Sequence, residues 1–260
     1  MPILVTNIRS GLGEAEEVIL EKAMQRLGVK RSAVKEAAVS KTTVDARRGR
    51  ISLVSSVLLQ LEGDEEKQAA RAADPQITYR REEPLSLSRG MERLSAPIVV
   101  AGFGPAGMFA GLLLSEQGYP VVILERGSRV EKRTESVGRF WSGGPLNPEC
   151  NVQFGEGGAG TFSDGKLTTR IGDPRCGYVL KRFVEFGAPE EILVKAKPHV
   201  GTDHLKGIVR SIRERILKNG GQIRFDCRLE EICEEGDSLR LRLADGEELE
   251  AAALILAVGH

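Results

Sequence analysis

The chain has 260 residues, room for one large domain or two ordinary ones. Its 37 lysines and arginines balance 37 aspartates and glutamates, so no global field draws it to nucleic acid or an acidic surface. No apolar stretch approaches the ~20 residues of a membrane span and no basic-plus-apolar leader follows Met1, so the default is a soluble cytoplasmic protein without membrane contact. Residues 3–8 alternate as a strand. Residues 14–27 follow with helical spacing, Val18, Leu20, Ala23, Met24 and Leu27 forming the apolar side and Gly28 the stop. Residues 34–44 and 51–61 are strand-like and joined by a turn at 46–50. This βαββ pattern predicts a small α+β domain over residues 1–80. Residues 62–90 are charged, with Pro75 and Pro84 and little periodicity, and predict a connecting segment, with the linker proper at 81–96.

A second domain is expected over 97–260, and its opening is the most informative stretch of the chain. Ile98-Val99-Val100-Ala101 is a short apolar β run, followed by Gly102-Phe103-Gly104-Pro105-Ala106-Gly107 and an Ala/Leu-rich helical stretch ending at Gly118. Residues 119–124 form a second β-branched run that closes on Glu125. Strand, glycine turn, helix, strand and acid, in that order, hold the ADP half of a dinucleotide. Gly102 permits the tight turn, Gly104 lets backbone approach the pyrophosphate, and Gly107 allows close helix–strand packing. The helix N-terminus faces the phosphate charge. Pro105 suits the first helical turn, where its missing N–H costs nothing. Glu125, 23 residues after Gly102, falls where a carboxylate accepts ribose hydroxyls.

Residues 126–170 show no clear helical period and read as a long loop-rich stretch. Within it lies Asn151-Val152-Gln153 followed by FGEGGAGTFSDGKL at 154–167. Such a glycine cluster disfavours regular structure and presents backbone amides at close range. Thr161, Ser163 and Lys166 add donors for anionic or carbonyl oxygens. Helical runs follow at 178–186 and 202–219, strands at 222–228 and 229–233, and a hairpin over 239–250 turning on Asp245-Gly246. The closing run, Ala253-Leu254-Ile255-Leu256-Ala257-Val258-Gly259-His260, reads as a buried core strand, and a chain ending there is expected to be incomplete at its C-terminus. Cys150, Cys176, Cys227 and Cys233 are scattered, with no CxxC and no His–Cys metal spacing, and read as thiols in a reducing cytosol with no metal site.

The fingerprint, Glu125-Arg126, the glycine run and the closing Leu254-Ile255-Leu256-Ala257-Val258-Gly259 together resemble two-dinucleotide-binding-domain flavoproteins. Among these the chain resembles a bacterial family of uncharacterised FAD-dependent dehydrogenases, NAD(P)/FAD-dependent oxidoreductases that pair a small N-terminal α+β domain with an FAD domain. The resemblance spans almost the whole chain. It implies a Rossmann-like FAD/NAD(P)-binding α/β domain with FAD as cofactor. Gly102, Gly104, Pro105, Ala106 and Gly107 would hold the pyrophosphate, and Glu125 with Arg126 the adenosine ribose. Gly157, Gly158 and Ser163 would lie near the flavin end, and Leu229 would contact adenine through its backbone. Ala257 and Gly259 would return beneath the cofactor, with Val258 departing from the family's threonine. The family's later Gly-Asp segment and the helix facing the flavin pyrimidine are missing, and family chains run roughly as long again.

The expectation is thus an FAD-dependent oxidoreductase acting on a small-molecule substrate or electron donor, with no catalytic residue assigned. Lys166 is the single candidate facing the reduced flavin's charge, while Lys197-Pro198-His199, His204 and His260 carry no role. Two alternatives stay open. One is an FAD-binding, RNA-associated protein whose basic N-terminal stretch (Lys30, Arg31, Lys35, Lys41, Arg47, Arg48 and Arg50) contacts phosphates, although no aromatic residues are interleaved for stacking. The other is an NAD-binding dehydrogenase; Glu125 would favour NAD over NADP, and the glycine loop argues against it.

Overall fold

A computed structural model describes residues 3–49, 51–79, 88–163, 171, 173, 175–194, 200–236 and 238–259, with Arg48 described by its backbone alone. Lys166, Lys197, Pro198, His199, Arg50 and His260, all singled out in the sequence, lie outside these residues. The chain divides into two compact units. The first comprises Met1–Ser86, Leu167–Lys181 and Pro189–Pro198, and the second Leu87–Lys166, Arg182–Ala188 and His199–His260.

In the first unit, β1 (Ile3–Ser10), α1 (Glu16–Leu27), β2 (Val34–Asp45), β3 (Ser52–Leu61), α2 (Glu65–Arg71) and β4 (Ile77–Tyr79) follow one another. All strand pairs are antiparallel, in the order β2-β3-β1-β4. The helices bury their apolar stripes on one face of this sheet, where Ile3, Val5, Val57 and Leu59 meet Ile19, Ala23, Leu27 and Ala69. Gly28, at φ 73°, ends α1 in the left-handed region, and the Val29 N–H donates to the Met24 carbonyl to close the turn. The arrangement is βαββαβ, of the ferredoxin-like type, and so exceeds the βαββ expected from sequence. The extra α2 and β4 lie in the segment expected to be a connector. They escaped notice because the helix buries only Ala69 and the strand has three residues. Asp64 caps α2 by accepting the Lys67 N–H at 3.1 Å. Lys30, Arg31, Lys35, Lys41 and Arg47 are exposed, and Arg47 and Arg9 both pair with Asp45.

The second unit is built on β5 (Ile98–Ala101), α3 (Pro105–Glu116), β6 (Val121–Leu124), α4 (Val130–Trp141), α6 (Thr202–Lys218), β7 (Gln222–Arg224) and β11 (Ala253–Leu256); α5 is Arg175–Glu185. The strand order is β11-β5-β6-β7, all parallel. Numbered within the sheet this is 3-2-1-4, the doubly wound Rossmann order, with its direction reversing between β5 and β11. The crossover from β7 to β11 is an antiparallel meander of β8 (Leu229–Glu235), β9 (Ser238–Leu243) and β10 (Glu248–Ala251). Leu241, Leu243 and Ala251 from the meander pack on Val99, Val122 and Leu124 of the parallel sheet. On the helical side α3 lies so close to the sheet that a Cβ on Gly111 would strike the Ile123 Cδ1.

Two expectations are corrected. Residues 126–170 contain a full helix, α4, whose buried face is Val130, Arg133 and Val137. Its middle position is an arginine, so the apolar period that announces a helix is broken. The closing strand is not buried: Ile255, Leu256 and Val258 are 37%, 59% and 60% exposed. As the edge of the sheet, β11 has a partner on one side only.

Candidate functional site

The loop after β5 lies at the reversal point of the sheet, where open α/β sheets bind their ligands. Gly102 has φ 101°, and a Cβ there would collide with the Ala257 carbonyl. The Gly102 N–H donates to the Leu124 carbonyl and the Ala257 N–H to the Ala101 carbonyl, which ties the loop to β6 and to the end of β11. A Cβ on Gly107 would collide with the Gly102 carbonyl, so α3 begins in direct contact with the turn before it. Gly104 caps α3 with no side chain, and Pro105 and Ala106 are exposed, so the helix presents bare N–H groups and its positive end to solvent.

Glu125 directly follows β6, with its side chain in this loop, 5% exposed. Its Oε2 accepts the Phe103 N–H at 2.7 Å and its Oε1 the Gly127 N–H at 2.8 Å. The carboxylate therefore shapes the glycine loop, and each oxygen keeps a lone pair for a further donor. Around it, the Cys227 N–H donates to the Glu125 carbonyl and the Asp226 N–H to the Gly127 carbonyl. Phe225 meets the ring of Phe103 edge-on, 6.1 Å between centroids.

The glycine run docks on the fingerprint. The Gly157 N–H donates to the Phe103 carbonyl at 2.9 Å, and a Cβ on Gly158 would come within 3.0 Å of Gly104 Cα and 3.1 Å of Pro105 Cδ. Gly157 and Gly158 have φ of 87° and 67°, conformations that glycine adopts freely. Two stretches of side-chain-free backbone thus flank the start of α3.

Sequence reasoning missed what holds this run in place. Arg133, wholly buried, donates from Nε to Asn151 O (2.9 Å), from Nη2 to Val152 O (2.9 Å) and from Nη1 to the carbonyls of Gly155, Glu156 and Gly158 (3.1, 2.6 and 2.9 Å). Burial pushes its guanidinium down to about 10, still charged at neutral pH. Glu156 is also wholly buried. Its Oε2 accepts the Val130 N–H and Arg213 Nη1, both at 2.6 Å, while its Oε1 has no partner among the described residues. Burial raises its carboxyl to about 7 against the opposing pull of Arg213. Arg213 also binds Glu131, whose carboxyl drops to about 2 chiefly through that hydrogen bond. The signal for Arg133 was the i, i+3, i+7 spacing of Val130, Arg133 and Val137.

The structure thus brings Gly102, Gly104, Gly107, Glu125, Gly157, Gly158 and Ala257 together. It does not gather the rest so tightly. The Ser163 hydroxyl donates within its own turn to Gly160 O, and Leu229 joins the apolar cluster of the meander. Val258 and Gly259 are exposed, and Arg126 pairs with Glu149. His204 is exposed at the start of α6. Among the described residues no three His, Cys, Asp or Glu side chains converge to hold a metal, and no helix is long and apolar enough to cross a membrane.

The strand order and glycine turn define the second unit as a Rossmann-like dinucleotide-binding fold. No family model matches the chain. It is 42% identical over 261 residues to an uncharacterized protein of Clostridium beijerinckii, covering 100% of this chain and 49% of that one, so the chain spans about half the length of the curated relative it matches. Solved structures with partial similarity include halogenase PltM in complex with phloroglucinol and FAD (18% identity, TM-score 0.38, 62% of this chain and 34% of that one). OTEMO in complex with FAD and NADP gives 15% identity and a TM-score of 0.40 over 65% of this chain and 26% of that one. A thioredoxin reductase from Gloeobacter violaceus gives 14% identity and a TM-score of 0.33 over 64% of this chain and 37% of that one.

Proposed function

We propose that the second unit is the FAD-binding core of a flavin-dependent oxidoreductase. The observation that carries this reading is the double cradle at the sheet's reversal point. A side chain at Gly102 or Gly107 would collide with main chain, and Gly158 packs against Gly104 and Pro105 beside the uncapped start of α3. A pyrophosphate fits such a place, because backbone N–H groups and a helix dipole meet it without side chains in the way. Gly102, Gly104, Pro105, Ala106 and Gly107 would hold the pyrophosphate and Glu125 the ribose, with Gly157 and Gly158 closing over the run toward the flavin. A single-turn NAD fingerprint has no need of a second glycine loop, which favours FAD.

When bound, FAD would supply hydride or electron transfer. The chain's own residues do the holding. Arg133 fixes the run by binding the carbonyls of Gly155, Glu156 and Gly158, and the Gly157 N–H docks it on the Phe103 carbonyl. Glu125 sets the spacing of the first loop by binding Phe103 and Gly127 at once. The finer reading is a dehydrogenase of the reducing cytoplasm, served by a small-molecule substrate or electron donor. The four free cysteines are consistent with that compartment.

The test is retention of added FAD by the purified chain through gel filtration, read at the flavin absorbance, with ADP as competitor. Near-stoichiometric retention, displaced by ADP and not by free riboflavin, is expected. Failure to bind either FAD or ADP at millimolar concentration overturns the proposal. Binding of NAD with no affinity for FAD would substitute the nicotinamide reading.

A further inference from the structure

Next to Glu125 sits a charged cluster that the cradle does not use. Arg126, the following residue, lies over the Phe154 ring with its guanidinium 4.0 Å from the centroid. Its Nε donates to Glu149 Oε2 at 3.0 Å. The other oxygen of the same carboxylate accepts Arg228 Nη1 at 2.8 Å, and Arg228 Nη2 binds Glu230 at 2.7 Å. Main chain fixes all three parts beside the end of β6. Arg228 follows Asp226 and Cys227, whose N–H groups bind the Gly127 and Glu125 carbonyls. Glu149 backbone packs on Gly127, whose added Cβ would come 2.9 Å from its carbonyl oxygen.

In a Rossmann site the adenosine ribose lies against the carboxylate that ends the second strand, and an arginine close by is what accommodates a 2′-phosphate. Here two arginines stand in that place, yet each is already engaged. We infer that Glu149, by bridging Arg126 and Arg228, makes the adenosine end of this site select a free 2′-hydroxyl over a 2′-phosphate. The inference rests on the dinucleotide reading above. Its charge balance is simple: two guanidinium groups face Glu149 and Glu230, so the cluster is neutral. A phosphate carrying nearly two negative charges would have to displace Glu149 or lie against it. Removing that one carboxylate leaves a net positive cluster in which the Arg126 fork and Arg228 Nη1 are free while Arg228 Nη2 stays on Glu230, donors that a phosphate can take up. Arg126 keeps its place over Phe154 and so remains preorganised.

The experiment compares ADP with adenosine 2′,5′-bisphosphate, titrated calorimetrically into the wild-type chain, Glu149→Gln and Glu149→Ala. Wild type is expected to prefer ADP. Both variants should bind ADP within about threefold of wild type and gain roughly tenfold for the 2′-phosphorylated probe, the gain shrinking as salt is raised. The near-isosteric glutamine variant guards against a loss of folding in the alanine variant, and circular dichroism of each is recorded. A ratio of affinities unchanged in both variants overturns the assignment while leaving the dinucleotide site intact. Absence of ADP binding in wild type overturns the site itself and the assignment with it.

Discussion

Replacing Arg133 with lysine tests the claim that one buried guanidinium organises the glycine run. Arginine offers five N–H donors in a fixed fork, and here its three nitrogens bind five carbonyls at 2.6–3.1 Å across residues 151–158, three of them sharing the two N–H groups of Nη1. Lysine keeps the charge but its single nitrogen does not reproduce the fork, so at least one of the Asn151, Val152 and Glu156 carbonyls loses this partner, while Gly155 O and Gly158 O keep the Gly158 and Thr161 N–H groups. Each stranded buried acceptor costs about 1–3 kcal/mol, and the geometry of the remaining bonds suffers, so the run should open more easily by about 3 kcal/mol. That is roughly two orders of magnitude in the opening equilibrium. Hydrogen exchange of the Gly157 amide is the readout, because this N–H reports docking of the run on Phe103. Exchange within threefold of wild type in Arg133→Lys would refute the reasoning. So would an Arg133→Met chain more stable than wild type, since that would make the buried charge a net burden and its bonds incidental.

Three further tests bear on stability and on the cradle. Glu156, raised to about 7 mainly by burial, keeps its proton in the folded state between pH 4.5 and 7 while the unfolded chain releases it. Its contribution to stability therefore falls across that window by about 1.4 kcal/mol per pH unit and is constant above it. Glu131 works the other way and at lower pH, losing stability between 4.5 and about 2. Urea midpoints at pH 5 and 7.5 should differ less in Glu156→Gln than in wild type; equal slopes would contradict the assignment. Gly107→Ala drives a Cβ into the Gly102 carbonyl and should cost about 2–3 kcal/mol by urea melting and remove FAD and ADP binding together. Gly138→Ala, on an open face of α4 where a Cβ meets nothing, should instead gain about 0.5–1 kcal/mol.

The parallel sheet was legible because its local chemistry agrees with its global place. Val99, Val100, Ile123 and Leu124 are apolar on both faces, and Gly102, Gly104 and Gly107 stand where main chain must touch main chain. Where one residue serves a non-local purpose, the pattern fails. Arg133 breaks the apolar stripe of α4 because its partners lie 18–25 positions further on. Glu156 reads as one polar residue among glycines until Arg213, on another helix, is brought to it. The open face of β11 had no local sign, since an edge strand and a central strand of a parallel sheet have the same composition. Glu125 shows a subtler limit. Its position was plain from spacing, whereas its grip on Phe103 and Gly127 follows from the path of the loop.

The place of β11 beside β5 governs when this molecule becomes competent during synthesis. The first antiparallel sheet has all four strands once residue 79 is made. By contrast β5 pairs with β11 through Ile98 and Ala253, 155 positions apart, and the turn at Gly102 rests against Ala257. At about 5–20 residues per second a nascent chain carries β5 for some 8–30 seconds before its last neighbour leaves the peptidyl transferase. Through that interval one flank of an apolar strand stands open, and the glycine turn lacks the Ala257 backbone that packs against it and binds the Ala101 carbonyl. The parallel sheet therefore closes late in synthesis, well after the antiparallel one.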